Sequence, residues 1–193
     1  MKKEFIHRGN RLAVLVGTED LPQLDAGEFS VLGISDFDWN KMLSPWPAEK
    51  IFRKGDDFAG RADEMLEYIL AQPELTGSWE EIIIAGYSLA GLFALNACTK
   101  TDRFTGCASV SGSLWFPGFA DYIKDHPVRA QKVYLSLGDR EKDTKNPVMK
   151  EVEVNTLAVR DLLNAYTDVY FEMNPGGHFQ EPELRMKKAL EHF

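Results

Sequence analysis

Apolar positions in this chain follow two periods in turn. Short runs dense in β-branched and aromatic residues fall at 12–16, 29–34, 81–85, 106–110, 133–137 and 169–173, and each predicts a strand. Between them the spacing turns helical. Over 57–71, Phe58, Ala62, Met65, Leu66, Ile69 and Leu70 share one face, and the pattern stops before Pro73. A second helix is predicted over 88–100, through Leu92, Phe93, Leu95 and Asn96. It is almost free of charge until its end, as a helix at the centre of a fold would be. Further helical patterns cover 118–124, 148–164 and 183 to the C-terminus, the last opened by Pro182 in its first turn. Regular alternation of this kind predicts an α/β domain with a mostly parallel sheet. The least regular stretch is 35–57, where Trp39, Pro45, Trp46 and Pro47 lie between a strand and a helix. A loop of that length tends to be functional.

Composition narrows the function classes. With 193 residues, 44% of them hydrophobic, one domain spanning 1–193 can build its core without metal or disulfide staples, and no separate cap domain is expected. The net charge is −8 and no basic run exceeds a pair, which disfavours a duplex nucleic acid as partner. No stretch approaches the ~20 apolar residues of a membrane span. Residues 1–10 are charged and lack the apolar core of a signal peptide, so the expected location is the cytoplasm. Cys98 and Cys107 fall in a predicted helix and a predicted buried strand, where a thiol acts as a small hydrophobe. The four histidines, at 7, 126, 178 and 192, have no zinc spacing, and neither metal nor cofactor is expected.

The strongest local signal is the buried run from Glu81 into Gly86-Tyr87-Ser88-Leu89-Ala90-Gly91, a strand that enters a helix through a Gly-x-Ser turn. A nucleophile elbow holds its serine on such a tight turn, and positions two before and two after must be small for the backbones to approach. Gly86 and Ala90 meet that need, although Ala90 stands where the motif has glycine. A second Gly-x-Ser, Gly33-Ile34-Ser35, is followed by Asp36, Phe37 and Asp38 instead of a small-residue helix start. The bland alternative for Ser88 is a helix N-cap. If Ser88 opens the helix, the Leu89 amide points at whatever sits over its hydroxyl and supplies half of an oxyanion hole. The other half is expected from an amide between Asp36 and Asn40.

Serine needs a base, and histidine is the usual one. His178 lies in Asn174-Pro-Gly-Gly-His-Phe179, a glycine-rich loop after the last predicted strand, where a side chain can project over the carboxyl ends of a parallel sheet. His7, His126 and His192 sit in a charged segment, at a helix exit and at the terminus. A carboxylate should follow a strand between Ser88 and His178. The turn Gly138-Asp139-Arg140-Glu141 offers two, and strand alternation does not choose between them. The order serine, acid, histidine is that of α/β-hydrolases.

Taken together, Gly86-Tyr-Ser-Leu-Ala-Gly-Leu-Phe-Ala-Leu95, Ser109-Val-Ser-Gly-Ser-Leu-Trp115, Ser136-Leu-Gly-Asp-Arg-Glu141 and Gly176-Gly-His-Phe179 resemble the esterase family of α/β-hydrolases that includes siderophore esterases. The resemblance implies a three-layer fold with a sheet of about six or seven strands. It also implies that Glu141, three residues past the glycine ending its strand, is the acid, with Asp139 second. The expected activity is hydrolysis of a small-molecule carboxylic ester by Ser88, His178 and Glu141 without cofactor. Trp39 and Trp115 are candidates for the substrate pocket. The alternatives are an acyltransferase or peptidase using the same residues, or a non-catalytic ligand-binding domain.

Overall fold

The computed structural model describes residues 1–19, 24–51 and 55–193, so residues 52–54 of the irregular 35–57 stretch lie outside the described part. The chain opens with three strands, β1 (Lys2–Ile6), β2 (Arg11–Val16) and β3 (Phe29–Ser35). A four-residue helix α1 (Trp39–Met42) and two short strands, β4 (Pro47–Ala48) and β5 (Phe58–Ala59), lead to α2 (Ala62–Leu70). Then follow β6 (Glu81–Tyr87), α3 (Leu89–Lys100), β7 (Gly106–Val110), α4 (Phe119–Asp125), β8 (Lys132–Gly138), α5 (Val152–Leu163), β9 (Asp168–Asn174) and α6 (Pro182–Glu191).

Seven strands form one sheet in the order β1-β3-β2-β6-β7-β8-β9. All neighbours are parallel except β1, which pairs antiparallel with β3 at the edge. Successive residues of a strand face opposite sides, and the core divides accordingly. Leu12, Val14, Val16, Ile82 and Ile84 pack with α2, α3, α4 and α5 on one face. Ala13, Leu15, Ile83, Ala85 and Tyr134 meet Met186, Ala189 and Leu190 of α6 on the other. The result is a three-layer α/β arrangement, as the resemblance implies, built on the mostly parallel sheet expected from the alternating pattern. It also explains why the predicted runs are continuously apolar, since both faces of each inner strand are covered.

Three departures from the sequence reading have local causes. The edge strand β1 has charged residues at Lys2, Lys3 and Glu4 and is largely exposed, so it carries little hydrophobic signal. The helix expected from Asp57 begins instead at Ala62, because Phe58 and Ala59 pair with Pro47 and Ala48 and Gly60 turns the chain at φ +72°. Phe58 is indeed on the buried side, but packed edge-on against Phe116 at 5.1 Å and not on the helix face. The 148–164 pattern begins as a 3₁₀ turn over Met149–Glu151 before α5 proper. Helix α3 is buried from Leu89 to Thr99, which is why it has no polar face. Cys98 and Cys107 are buried free thiols on α3 and β7. No helix among the described residues is long and apolar enough to cross a membrane.

Candidate active site

The carboxyl ends of the parallel strands converge on Ser88. The turn from β6 to α3 holds Ser88 at φ 59°, ψ −123°, a left-handed backbone that a non-glycine residue adopts only under constraint. Its backbone is fixed from β7 and the segment that follows it: the Ser88 amide donates to Val110 O at 3.0 Å, and the Ser113 amide donates to Ser88 O at 3.0 Å. Position 86 has to be glycine, since a Cβ there would lie 2.5 Å from the backbone carbon and oxygen of Ala90. Ala90 keeps its methyl in the same tight corner. The Ser88 side chain makes no capping bond to α3, so the hydroxyl is not spent on the helix end. It stands 3.3 Å from Ser113 Oγ and 2.9 Å from His178 Nε2.

His178 follows β9 on the Asn174–Phe179 loop. Its Nδ1 lies 2.6 Å from Glu141 Oε2, so one imidazole joins hydroxyl to carboxylate. The loop is held by several independent bonds. The Tyr87 hydroxyl donates to His178 O at 2.5 Å, the Gly176 amide donates to Asp139 Oδ1 at 2.7 Å, and the Arg140 amide donates to Gly176 O at 3.1 Å. Burial pushes the Tyr87 phenol up from its ordinary value.

The two acids of the 138–141 turn are thus separated by direction. Asp139 faces the backbone amide of Gly176, whereas Glu141 faces the imidazole. Glu141 is 8% exposed, and its other oxygen, Oε1, accepts from the Gly138 amide at 2.7 Å and from Arg185 Nη1 at 3.0 Å. Burial alone would raise its pKa. The hydrogen bond and charge of His178 together with the Gly138 amide outweigh that and hold it below the ordinary glutamate value.

A cavity of about 230 Å³ opens over Ser88, walled by Trp39, Asn40, Phe58, Leu89, Ser113, Trp115, Met149, His178 and Phe179. Apart from the histidine, none of these side chains is ionisable. Both candidate tryptophans are in the wall. Trp115 is 8% exposed, held among Phe58 and Phe116, and Trp39 covers Gly17, where an added Cβ would come within 2.5 Å of its ring. Leu89 is the first residue of α3, so its amide has no acceptor within the helix. Two segments flank the serine on the β2 side. Helix α1, capped by Asp38 through the Lys41 amide at 3.1 Å, carries Trp39 and Asn40. Because Val16 pairs with Gly86, the chain leaving β2 at Gly17 and Thr18 comes level with Tyr87 and Ser88.

The other histidines lie elsewhere. His7 Nδ1 is 3.2 Å from Ser30 Oγ, His126 Nδ1 bonds to Tyr122 O at 2.8 Å, and His192 stacks on Tyr170. Among the described residues no group of three or more His, Cys, Asp or Glu is placed to hold a metal ion. Phe58, Ser113, Met149, Phe179 and Arg185 are additions to the site residues expected from the sequence, Phe58 having been placed on the face of a predicted helix. Ser113 stands in the serine-rich segment before Trp115. Phe58 and Met149 carry no signal beyond being apolar.

Among known proteins, no family model and no curated sequence matches the chain. Solved structures do. This is the α/β-hydrolase fold, shared with siderophore hydrolase EstB from Aspergillus nidulans at TM-score 0.72 and 18% identity, over 96% of this chain and 83% of that one. The enterobactin esterase FES from Shigella flexneri gives TM-score 0.65 and 18% identity over 94% and 52% of the two chains. Acyl-protein thioesterase 2 from Zea mays gives 0.59 and 15% over 99% and 96%. At these identities the likeness is one of fold, and it agrees with the fold that the motifs imply.

Proposed function

We propose that the protein is a carboxylic-ester hydrolase working through an acyl-enzyme on Ser88. The observation that carries this reading is the continuous chain Ser88 Oγ, His178 Nε2, His178 Nδ1, Glu141 Oε2 at 2.9 and 2.6 Å, with its serine end in a cavity. Ser88 Oγ attacks the carbonyl carbon while His178 Nε2 takes its proton, and Glu141 stabilises the imidazolium that forms. The carbonyl oxygen gains negative charge facing the Leu89 amide at the N-terminus of α3. A second donor comes from one of the two segments flanking Ser88, the β2 exit or the 36–40 turn. His178 then returns the proton to the departing alcohol. A water, deprotonated by the same nitrogen, cleaves the acyl-enzyme and restores the serine. Structural neighbours named as a siderophore hydrolase, an esterase and a thioesterase support this class of reaction.

The cavity favours a compact, uncharged group. Its volume lies below the ~300–1,000 Å³ of pockets that enclose a drug-sized ligand, so it takes one limb of the ester and leaves the other outside. Phe179, 90% exposed and edge-on to His178 at 5.0 Å, stands where an outer limb would pass. Hydrolysis of p-nitrophenyl acetate, butyrate and octanoate by wild type and Ser88→Ala tests the reading. Turnover of the short esters that vanishes in the variant supports it. Equal turnover by both proteins contradicts it.

A further inference from the structure

Arg185 is the largest fully buried side chain of the described residues, at 2% exposure, and a buried guanidinium is costly unless every donor is used. It projects from the first turns of α6 into the space between the β8 exit and the His178 loop. Nη1 donates to Glu141 Oε1 at 3.0 Å and to Ser111 Oγ at 2.8 Å. Nη2 donates to Pro175 O and Gly177 O, both at 3.0 Å. The fit is close, since a Cβ on Gly138 would lie 2.9 Å from Nη2.

One planar group therefore touches the acid on one side and, on the other, the two carbonyls that flank Gly176 just before His178. Stability alone does not account for this choice. Replacing a buried ion pair with apolar groups is often neutral or stabilising, and the surrounding α6 positions Met186, Ala189 and Leu190 are already apolar. What an apolar residue could not do is fix two loops relative to each other. By occupying Oε1 together with the Gly138 amide, Arg185 leaves Oε2 as the oxygen that faces His178.

Resting on the ester-hydrolase reading, we infer that Arg185 is a positioning residue: its guanidinium sets the orientation of Glu141 and clamps the 175–177 loop, so that the imidazole meets acid and serine at once. Lysine cannot substitute. Its ammonium is a point charge without the fork that reaches acceptors on two sides.

The test compares wild type, Arg185→Lys and Ser111→Ala. Each is assayed for p-nitrophenyl acetate turnover, labelling of Ser88 by a fluorophosphonate, and amide hydrogen exchange. Small misplacements of reacting groups cost up to about 100-fold. Arg185→Lys should accordingly lower kcat by roughly 10- to 100-fold with KM within about twofold, and should speed exchange over 175–179 while α3 and the central strands keep theirs. Ser111→Ala, which removes one acceptor and neither clamp, should stay within about threefold of wild type. Wild-type kcat and loop exchange in a folded Arg185→Lys protein overturn the inference, and so does loosening spread evenly over the molecule. Should Arg185→Lys not fold, the pair Arg185→Met with Glu141→Gln removes both charges. The 175–179 amides must then exchange faster than in Glu141→Gln alone, and equal exchange overturns the clamp. Exchange is read without turnover. A wild type that neither hydrolyses esters nor labels at Ser88 therefore fails the hydrolase reading, and the clamp is still judged on its own.

Discussion

The Ser88 hydroxyl supports no structural bond of its helix, so Ser88→Ala should keep the wild-type melting temperature within a few degrees. Ester turnover should fall roughly 10³-fold or more, and His178→Ala should do the same. Steady-state rates beside a thermal melt check both halves. The two neighbouring acids make a sharper comparison. Glu141→Gln replaces a carboxylate that accepts from Gly138 and Arg185 while facing His178, and kcat should drop by about 100-fold or more. Asp139→Asn retains an oxygen able to accept from the Gly176 amide and should stay within about threefold. The reverse ranking would assign the acid to Asp139. At this scale Ser88 and His178 were legible because their signals are local: small residues around a strand-to-helix serine, and glycines before a histidine. Periodicity could not separate Asp139 from Glu141, since both lie beyond the end of β8; the family resemblance favoured Glu141, and Glu141 is the one that turns to the imidazole. Arg185 left one trace in sequence, a charged residue beside Met186 on the apolar stripe of the last helix.

Among the elements, the β6–α3 turn depends most on a single residue. A methyl at position 86 would fall 2.5 Å from the Ala90 backbone, which cannot move without shifting α3. Gly86→Ala should destabilise by about 1–3 kcal/mol in urea titration and also lose turnover, unlike Ser88→Ala. In the irregular 35–57 stretch, α1 brings Trp39 into the wall of the cavity over Ser88, which Trp115 also lines. With that wall intact, acetate and butyrate esters should be hydrolysed at least about tenfold faster than octanoate, and Trp39→Ala should narrow the gap. Equal rates across chain lengths in wild type would contradict the cavity's role. The inner strands were readable from continuous apolar runs, whereas β1, β4 and β5 were not: an exposed charged edge and two-residue pairings leave too little pattern to find.

For the whole molecule, the buried chain of charges ties stability to pH. The Glu141 carboxyl, raised by burial but lowered further by His178 and the Gly138 amide, is held below its ordinary value of 4.5. A carboxylate with a lowered folded-state pKa stabilises the fold above its unfolded value, and that contribution disappears as pH falls through the folded one. Glu172, lowered by Lys188 and Tyr134 against its own burial, acts in the same direction. Thermal stability should thus fall off below about pH 4.5. The drop should be shallower in Glu141→Gln, measured as melting temperature against pH. A steeper drop in that variant would contradict the account. A mostly parallel α/β sheet was visible in the alternation of periods, and the three layers followed from the family resemblance. The order of strands was not, because it depends on long-range pairing that no local pattern encodes.

The most direct test of the central claim is mass spectrometry after treatment with a fluorophosphonate probe, run on wild type and His178→Ala. The account predicts a single adduct on Ser88 in wild type and almost none in the histidine variant over the same time. No adduct on wild-type Ser88, or equal labelling of both proteins, would contradict a serine activated by His178.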